Sequence, residues 1–380
     1  MRILTIANHL DSTGGLERTQ LTNCRGLSER GHRLELMYVQ SGEFAPAWQA
    51  ITASMTQIGT TLPRRANPVR TFLAVASALR AARHLRPDVV YAYRYWDLPF
   101  AVAVARLSRA SVVYHLCLPP PTPVPAWLRQ VLARVDSTVS VSEDTLRLWR
   151  DTGLRTDRAT IALTSVDLGT YRPGSEADRV KVLSSLGLEP ADFVVLFAGR
   201  ISPEKGLNVL IEAFRKLEGK VARPRLVIVG SPTTSSDPGE AQRYVDRLHA
   251  LAEGLPVTWL PRRHDVVPLL QAADVAVVPS LWPEPLSRSI LEALACGVPV
   301  VASRVGGSPE ILTGWLSECL VDRDDAEALA RCLTSLHGWR TRDATLGDRC
   351  RRFAEARPSS EHEVDLIETA MLGAMRSNRR

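Results

Sequence analysis

The sequence predicts an α/β protein made of two doubly wound, parallel-sheet units, and three observations carry that expectation. The chain has 380 residues, too many for one ordinary core and suitable for two. Short β-branched apolar runs alternate with longer helix-patterned stretches from end to end, the order that parallel sheets with crossover helices require. The alternation breaks once, over residues 157–192, at Tyr171-Arg-Pro-Gly174 and a short helix ending at Gly187. The expected organisation is therefore an N-terminal domain over 1–170, a linker over 171–192, a C-terminal domain over 193–355, and a last helix over 356–380 packing back on the N-terminal domain.

In the first half, strands are expected at 2–8, 34–39, 88–92, 111–115 and 137–141, with helices near 15–30, 70–85, 98–108 and 143–152. The second series opens with Phe193-Val-Val-Leu-Phe-Ala-Gly199 and continues with strands at 225–229, 256–260, 274–278, 298–302 and 318–321. From 324 to 376 the pattern is helical only. Ligands of such sheets sit beyond the carboxyl ends of the strands, and two such units leave a cleft between them.

Composition narrows the function classes. Apolar residues make up 45% and charged residues 23%, the balance of a globular chain. No apolar stretch approaches the roughly 20 residues of a membrane-spanning helix. Met1–Asn8 reads as a strand and not as a cleavable signal, so the expected location is the cytoplasm. Six scattered cysteines without a CxxC pair read as reduced thiols and argue against structural zinc. A net charge of +6 suits an anionic ligand but is too mild to indicate nucleic acid. The cations are almost all arginine; Lys181, Lys205, Lys216 and Lys220 are the four lysines. In such a chain each lysine invites a functional reading.

Lys205 repays that attention. It follows Arg200 by five residues, between the strand ending at Gly199 and the helix that starts with Leu207. Two cations beside free backbone N–H groups at a helix mouth suit a diphosphate. A compact ammonium also differs in function from a planar guanidinium. Further on, Glu284 and Glu292 stand eight residues apart in Pro283-Glu-Pro-Leu-Ser-Arg-Ser-Ile-Leu-Glu292. With a helix starting near Leu286, the two lie about 80° apart around its axis. They could then hold two polyol groups, while the N–H groups of Leu286 to Ser289 bind phosphate. A dipole-complementing acid followed by an exposed helical one would have the same spacing.

Gly199-Arg200, Lys205-Gly206, the Glu284-x7-Glu292 motif and Ala295-Cys-Gly-Val-Pro-Val-Val-Ala-Ser-Arg-Val-Gly-Gly-Ser-Pro-Glu310 together resemble glycosyltransferase family 4. That is a retaining family with the GT-B architecture, two Rossmann-like domains facing a central cleft. The resemblance spans nearly the whole chain and is most specific between 193 and 312. It implies a diphosphate-binding role for Arg200 and Lys205, a sugar-hydroxyl contact for Glu284 and a ribose contact for Glu292. Leu286, Ser287 and Arg288 fall beside the donor, and Gly230 and the Arg262-Arg263 segment match the base-contacting loops. Where the family commonly has Phe-Gly after Glu-Pro, this chain has Leu286-Ser287; where it often has Asn-Gly before Val-Asp, this chain has Thr164-Ser165.

The resemblance extends to the N-terminal half. Gly14 and Gly15, between the first strand and first helix, let backbone approach a ligand closely, and they match the family's glycine loop. His115, ending Ser111-Val-Val-Tyr-His115, matches the active-site histidine beside the donor sugar. Cys117 is not expected to be a nucleophile. Arg94, Tyr95, Trp96 and Asp97 follow a strand and are candidates for the acceptor, with interior packing as the equal alternative. The basic stretch carrying Arg80, Arg83 and Arg86 reads as a solvated helix end, with weak peripheral membrane contact as the lesser reading.

The expected reaction moves a sugar from a nucleoside-diphosphate sugar, UDP by default, to a small-molecule, glycan or lipid hydroxyl. It needs neither metal nor cofactor, because the cations stabilise the leaving diphosphate. Asp322-Arg-Asp324 opens a C-terminal helix and reads as its cap. A nicotinamide dehydrogenase would require GxGxxG after a strand, which is lacking. A GT-B sugar-nucleotide epimerase and a non-catalytic sugar-nucleotide-binding protein stay as alternatives.

Overall fold

The first strand forms as β1 (Arg2–His9), in which Ile3, Leu4, Thr5 and Ile6 are successive buried residues. Burial on consecutive positions means that both faces of the sheet are covered, as for a central parallel strand. The computed structural model describes residues 1–11, 14–62, 68–232 and 238–378. It divides into one unit of Met1–Thr164 with Ser359–Arg380 and a second of Ser165–Pro358.

After β1 the first unit runs through α1 (Gly15–Glu29), β2 (Arg33–Gln40), α2 (Ala45–Ile51), β3 (Ser54–Gln57) and α3 (Pro68–Leu85). It continues with β4 (Val89–Ala92), α4 (Leu98–Ser108), β5 (Ser111–Leu116), α5 (Ala126–Leu132), β6 (Ser137–Ser140), α6 (Glu143–Arg150) and β7 (Ala159–Ile161). The sheet order is β3-β2-β1-β4-β5-β6-β7, and every pairing is parallel. The order reverses between β1 and β4, so the loops after these strands flank the switch point where ligands of such sheets bind.

The second unit holds α7 (Glu176–Ser185), β8 (Phe193–Ala198), α8 (Leu207–Arg215), β9 (Pro224–Val229) and α9 (Pro238–Leu251). Next come β10 (Val257–Leu260), α10 (Val267–Ala272), β11 (Val275–Val278), α11 (Arg288–Ala295), β12 (Val300–Ser303), α12 (Ser308–Ile311) and β13 (Leu320–Val321). Three helices close it: α13 (Ala326–Leu336), α14 (Trp339–Arg342) and α15 (Leu346–Glu355). Its parallel sheet has the order β10-β9-β8-β11-β12-β13, with the switch between β8 and β11. The core is made by Val195, Phe197, Ile228, Val275 and Val301 of the sheet with Leu207, Leu210 and Phe214 of α8.

The last helix, α16 (Ser360–Asn378), belongs to the first unit and buries Val364, Ile367 and Met371 in the core shared with Ile3, Leu27 and Val113. Arg30 reaches Asp365 at 2.6 Å and Glu368 at 2.9 Å, and His32 meets Glu368 at 2.8 Å. At Gly26 a Cβ would lie 2.6 Å from a Val364 methyl, so α1 and α16 approach closely at that position.

Several elements differ from the sequence expectation. β3, β7, α2 and α5 were not expected; all are short, and β3 and β7 are the sheet's edges, where amphipathic period is weakest. The short helix expected before Gly187 forms as α7, but the stretch expected as a linker groups with the second unit, which already begins at Ser165. There Arg351 donates to the Tyr171 carbonyl at 2.7 Å. The cap of α13 is Asp325, which accepts from the Ala328 N–H at 2.8 Å. Asp322 pairs with Arg304 instead, and Asp324 adopts a left-handed φ of 64°.

Candidate functional site

β8, β11 and β12 are neighbours in the second sheet, so the loops after their carboxyl ends are neighbours too. The β8 loop carries Arg200 and Lys205, the β11 loop carries Glu284, and the β12 loop carries Gly306 and Gly307. The Leu281 N–H donates to the Glu204 carbonyl at 2.8 Å and ties the first loop to the second. Gly206 allows this approach: it has a left-handed φ of 68°, and a Cβ there would overlap the Pro279 carbonyl oxygen at 1.9 Å. The Gly307 N–H donates to the Glu284 carbonyl at 2.9 Å and ties the second loop to the third.

This framework brings Lys205 and Glu284 together. The Lys205 Nζ lies 2.7 and 2.6 Å from the two Glu284 carboxylate oxygens. The same carboxylate accepts from the Ser280 hydroxyl and the Trp282 indole N–H, each at 3.0 Å. Burial pushes the Glu284 carboxyl up, but the Lys205 charge and these hydrogen bonds outweigh it and hold the group below its ordinary value. Lys205 also sits 5.9 Å from the Trp282 ring centre. An ammonium has three donors and Glu284 engages two bonds, which leaves capacity for an anion.

The other donor-side residues fall into place around the same loops. Arg200 is part exposed and stands 3.7 Å from Glu204, a loose contact that leaves its guanidinium available. The helix α11 starts at Arg288, two residues later than expected, with Ser287 as its N-cap. Glu284 is therefore in the loop four residues before the helix, not at its mouth. The extended φ and ψ of Ser287 delay the helix, and Leu286 is buried against Gly307. Arg288 and Glu292 are one turn apart, with 3.5 Å between Nε and carboxylate, and both are largely buried. The Arg288 Nε makes no hydrogen bond among the described residues.

Gly230 has a steric reason to be glycine, since a Cβ would overlap the Gly199 carbonyl oxygen at 1.9 Å. This is how the ends of β8 and β9 converge. The Arg262 N–H donates to Ser231 at 3.2 Å, and Arg263 is engaged with Asp265 at 2.8 Å.

In the first unit, Gly14 is the extended N-cap of α1, and Ser12 and Thr13 of the glycine loop lie outside the described residues. A Cβ at Gly14 would lie 3.3 Å from the Glu17 carboxylate. Glu17, in the first turn of α1, pairs with Arg94 at 2.8 Å, which joins the start of the helix after β1 to the loop after β4 across the switch point. Of the acceptor candidates, Arg94 and Asp97 are buried. Asp97 accepts from Thr61 at 2.7 Å, and burial pushes its carboxyl up to about 6. Tyr95 and Trp96 keep partial exposure and pack edge to face at 4.8 Å.

His115 is fully buried on β5. Its Nδ1 meets the Tyr91 hydroxyl at 2.6 Å, its ring stacks on Tyr93 at 4.9 Å, and its Nε2 has no partner among the described residues. Burial lowers its pKa to about 3, so the ring is neutral. Cys117, next to it, has its thiol pushed well up by burial, which makes it a poor nucleophile.

Residues that sequence reasoning missed are Ser280, Trp282, Gly306 and Gly307. Gly306 has a φ of 55°, and a Cβ there would overlap the Glu284 carbonyl oxygen at 2.0 Å. The signal was the Gly-Gly pair directly after a strand. Trp282 stood in plain view beside Pro283-Glu284, but only the three-dimensional turn shows its N–H meeting the carboxylate. Among the described residues no group of three or more His, Cys, Asp or Glu side chains is placed to hold a metal ion.

Residues 180–351 match the family described as Glycosyl transferases group 1, and residues 13–170 match Glycosyltransferase Family 4. A D-inositol 3-phosphate glycosyltransferase of Rhodococcus jostii is 33% identical over 267 residues, 68% of this chain and 58% of that protein. One of a Mycobacterium sp. (strain KMS) is 38% identical over 177 residues, 45% of this chain and 37% of that protein. The match therefore spans between about a third and three fifths of the length of these curated relatives. Anabaena HepE, solved in complex with UDP and glucose, superposes with a TM-score of 0.82 at 22% identity, covering 97% of this chain and 98% of that one. Sucrose-phosphate synthase from Thermosynechococcus elongatus superposes at 0.74 with 20% identity, covering 97% and 98%. With two parallel α/β sheets of the GT-B type and both family regions in order along it, the chain belongs to glycosyltransferase family 4.

Proposed function

We propose that the protein is a retaining, metal-independent glycosyltransferase that takes its sugar from a nucleoside-diphosphate sugar, with UDP as the default nucleotide. The observation that carries this reading is the Lys205–Glu284 pair at the β8/β11 switch point. It sets a cation for the diphosphate beside a carboxylate for sugar hydroxyls.

In the proposed reaction the bond from the anomeric carbon to the diphosphate oxygen breaks while the acceptor hydroxyl attacks from the same face. Its proton passes to the departing diphosphate. Lys205 and Arg200 stabilise the charge that grows on the leaving group. Glu284, kept ionised by Lys205, Trp282 and Ser280, accepts hydrogen bonds from the sugar. Glu292 and Arg288 hold the ribose side of the donor. The low pKa of His115 makes it a weak base, which supports a proton path through the leaving group. Tyr95 and Trp96, with their partial exposure, are the proposed acceptor contacts.

Thermal-shift screening against UDP-, GDP-, ADP- and dTDP-sugars tests the donor assignment. A bound donor at about 100 times its Kd stabilises by about 2.7 kcal/mol. Acceptors to include are polyol phosphates, which the names of the relatives suggest, as well as glycans and lipids. The expected result is nucleoside diphosphate released in step with an α-linked product from an α-linked donor. An inverted product overturns retention, and donor epimerised without transfer favours the epimerase. Binding without nucleotide release for any acceptor favours a non-catalytic binding protein.

A further inference from the structure

The outward face of α3 has no part in the site described above. Ala78 and Ala82 are buried beneath the helix, which lies beside α4 on one face of the first unit's sheet. Turned away from that core are Val69, Phe72 and Leu73, exposed by 73%, 64% and 63%, the highest values for large apolar side chains among the described residues. At about 100° per residue, positions 69, 73, 76 and 80 fall within about 60° of arc, with 72 and 83 next to them. The helix thus presents one continuous stripe about 21 Å long: apolar over its first turns, then Arg80 and Arg83.

Charge on α3 and α4 has a single sign. Arg70, Arg80 and Arg83 lie on α3, Arg86 directly follows it, and Arg106 and Arg109 lie at the end of the neighbouring α4; all six are exposed. Neither helix contains an Asp or Glu, and among the described residues none of the six arginines is ion-paired. Arg83, Arg86 and Arg109 join Arg2, Leu107 and Ser108 around a polar hollow of about 390 Å³. Asp88 is the one acid in that lining, and its carboxylate is engaged by the Arg2 N–H at 2.7 Å. The Ser108 hydroxyl oxygen is buried there without a partner.

We propose that this face docks on the surface of an anionic lipid bilayer. Val69, Phe72 and Leu73 enter the boundary between headgroups and acyl chains, and the arginines hold lipid phosphates, with the hollow taking a headgroup. A solvated helix end accounts for the arginines but not for three large apolar side chains exposed within two turns. A second copy of the chain is a poor occupant, because two-fold pairing of this face brings no acid from either helix to its arginines. An anionic bilayer offers an apolar interior and a negative surface over the whole stripe. The inference does not depend on glycosyl transfer, and the two readings fail separately.

The test is co-sedimentation of the full chain with vesicles of phosphatidylcholine alone and of phosphatidylcholine mixed with phosphatidylglycerol. The expected result is binding to the anionic vesicles that weakens with salt. Phe72→Ser with Leu73→Ser should reduce it at least about tenfold by removing apolar insertion. Arg80→Ala with Arg83→Ala should reduce it about 25-fold, each arginine near an anionic surface contributing about fivefold. Unfolding temperatures of both variants should match the parent, since all four side chains are exposed. No binding to the anionic vesicles, or equal binding by the variants, overturns the proposal. So does a dimer in sedimentation velocity that Phe72→Ser with Leu73→Ser dissociates in the absence of vesicle binding.

Discussion

Lys205 and Glu284 come from loops 79 residues apart, yet the ammonium bridges both carboxylate oxygens at 2.6 and 2.7 Å. Sheet order alone makes this meeting necessary, because β8 and β11 are adjacent strands on either side of the switch point. The first unit has a comparable pair in Glu17 and Arg94 at 2.8 Å, from the first turn of α1 and the loop after β4. In both units an ion pair closes the place where a doubly wound sheet opens for ligands.

Removing one partner of the Lys205–Glu284 pair should be worse than removing both. In Lys205→Ala the buried Glu284 carboxylate loses its counter-ion, and breaking such a pair costs about 3–5 kcal/mol unless the carboxyl takes up a proton. Turnover should fall about 10²–10³-fold, as when one stabilising donor leaves a transition-state site. Lys205→Met with Glu284→Gln should regain stability but not turnover. Chemical denaturation and nucleotide-release assays on the three proteins check this. A double variant as active as the parent would remove the pair from the site.

How much of this was legible beforehand depends on the range over which each feature is encoded. Strands such as Phe193–Ala198 are local apolar runs and were readable to within a residue. The edge strands β3 and β7 contain Ser54-Met-Thr-Gln57 and Ala159-Thr-Ile161, whose pairing depends on the strand beside them and not on a pattern of their own. Arg200 and Lys205 could be singled out because charge at a strand's carboxyl end is visible in sequence, whereas Glu284 and Glu292 needed the family resemblance, since a capping acid followed by an exposed helical one has the same spacing. That Lys205 meets Glu284 is a consequence of topology, as is the close passage of Gly306 past the Glu284 carbonyl. The start of α11 at Arg288 was misplaced although Ser287, an N-cap residue type, marks it in the sequence.

Gly306 provides a contrast with Gly314. Both have a left-handed φ, 55° and 59°, but a Cβ on Gly306 would strike the Glu284 backbone whereas one on Gly314 meets nothing within 4 Å. Gly314→Ala should cost only the strain of the left-handed conformation, about 1–2 kcal/mol. Gly306→Ala must also displace the loop that carries Glu284. Donor affinity, read by thermal shift, should fall at least about tenfold for Gly306→Ala and stay unchanged for Gly314→Ala. Equal donor affinity in the two variants would count against the role of the β12 loop.

Two buried groups in the first unit should offset each other in acid. His115 has its pKa lowered by burial to about 3 from an ordinary 6.5. Between these values the unfolded chain binds the extra proton, so this group's stabilisation falls as pH drops below 6.5. Asp97 has its pKa raised by burial to about 6 from 3.8. Over that range the folded chain binds the extra proton, so stability from Asp97 falls as pH rises from about 4 to 6. The two contributions oppose each other in that window. Asp97→Asn should remove one of them and make stability rise more steeply with pH, by about 1.4 kcal/mol per unit relative to the parent. Denaturant midpoints between pH 4 and 6 measure it; parallel curves for parent and variant would show that Asp97 titrates normally.

Asp274 tests whether the second unit can be loosened without touching the site. It stands just before β11, at the end of the strand opposite to Glu284. Its carboxylate accepts from the Val194 N–H at 2.8 Å and from Arg340 at 2.7 Å, and it pairs with buried Arg179 at 3.3 Å. Its carbonyl accepts from the Trp339 indole at 2.7 Å. One residue thus joins α7, β8, β11 and α14. Asp274→Ala leaves Arg179 buried without this counter-ion and should cost about 3–5 kcal/mol. The donor loops follow the far ends of β8, β11 and β12, so the activity of folded Asp274→Ala, measured well below its unfolding temperature, should equal that of the parent. Loss of activity in step with loss of stability would instead mean that the strand ends transmit the perturbation to Lys205 and Glu284.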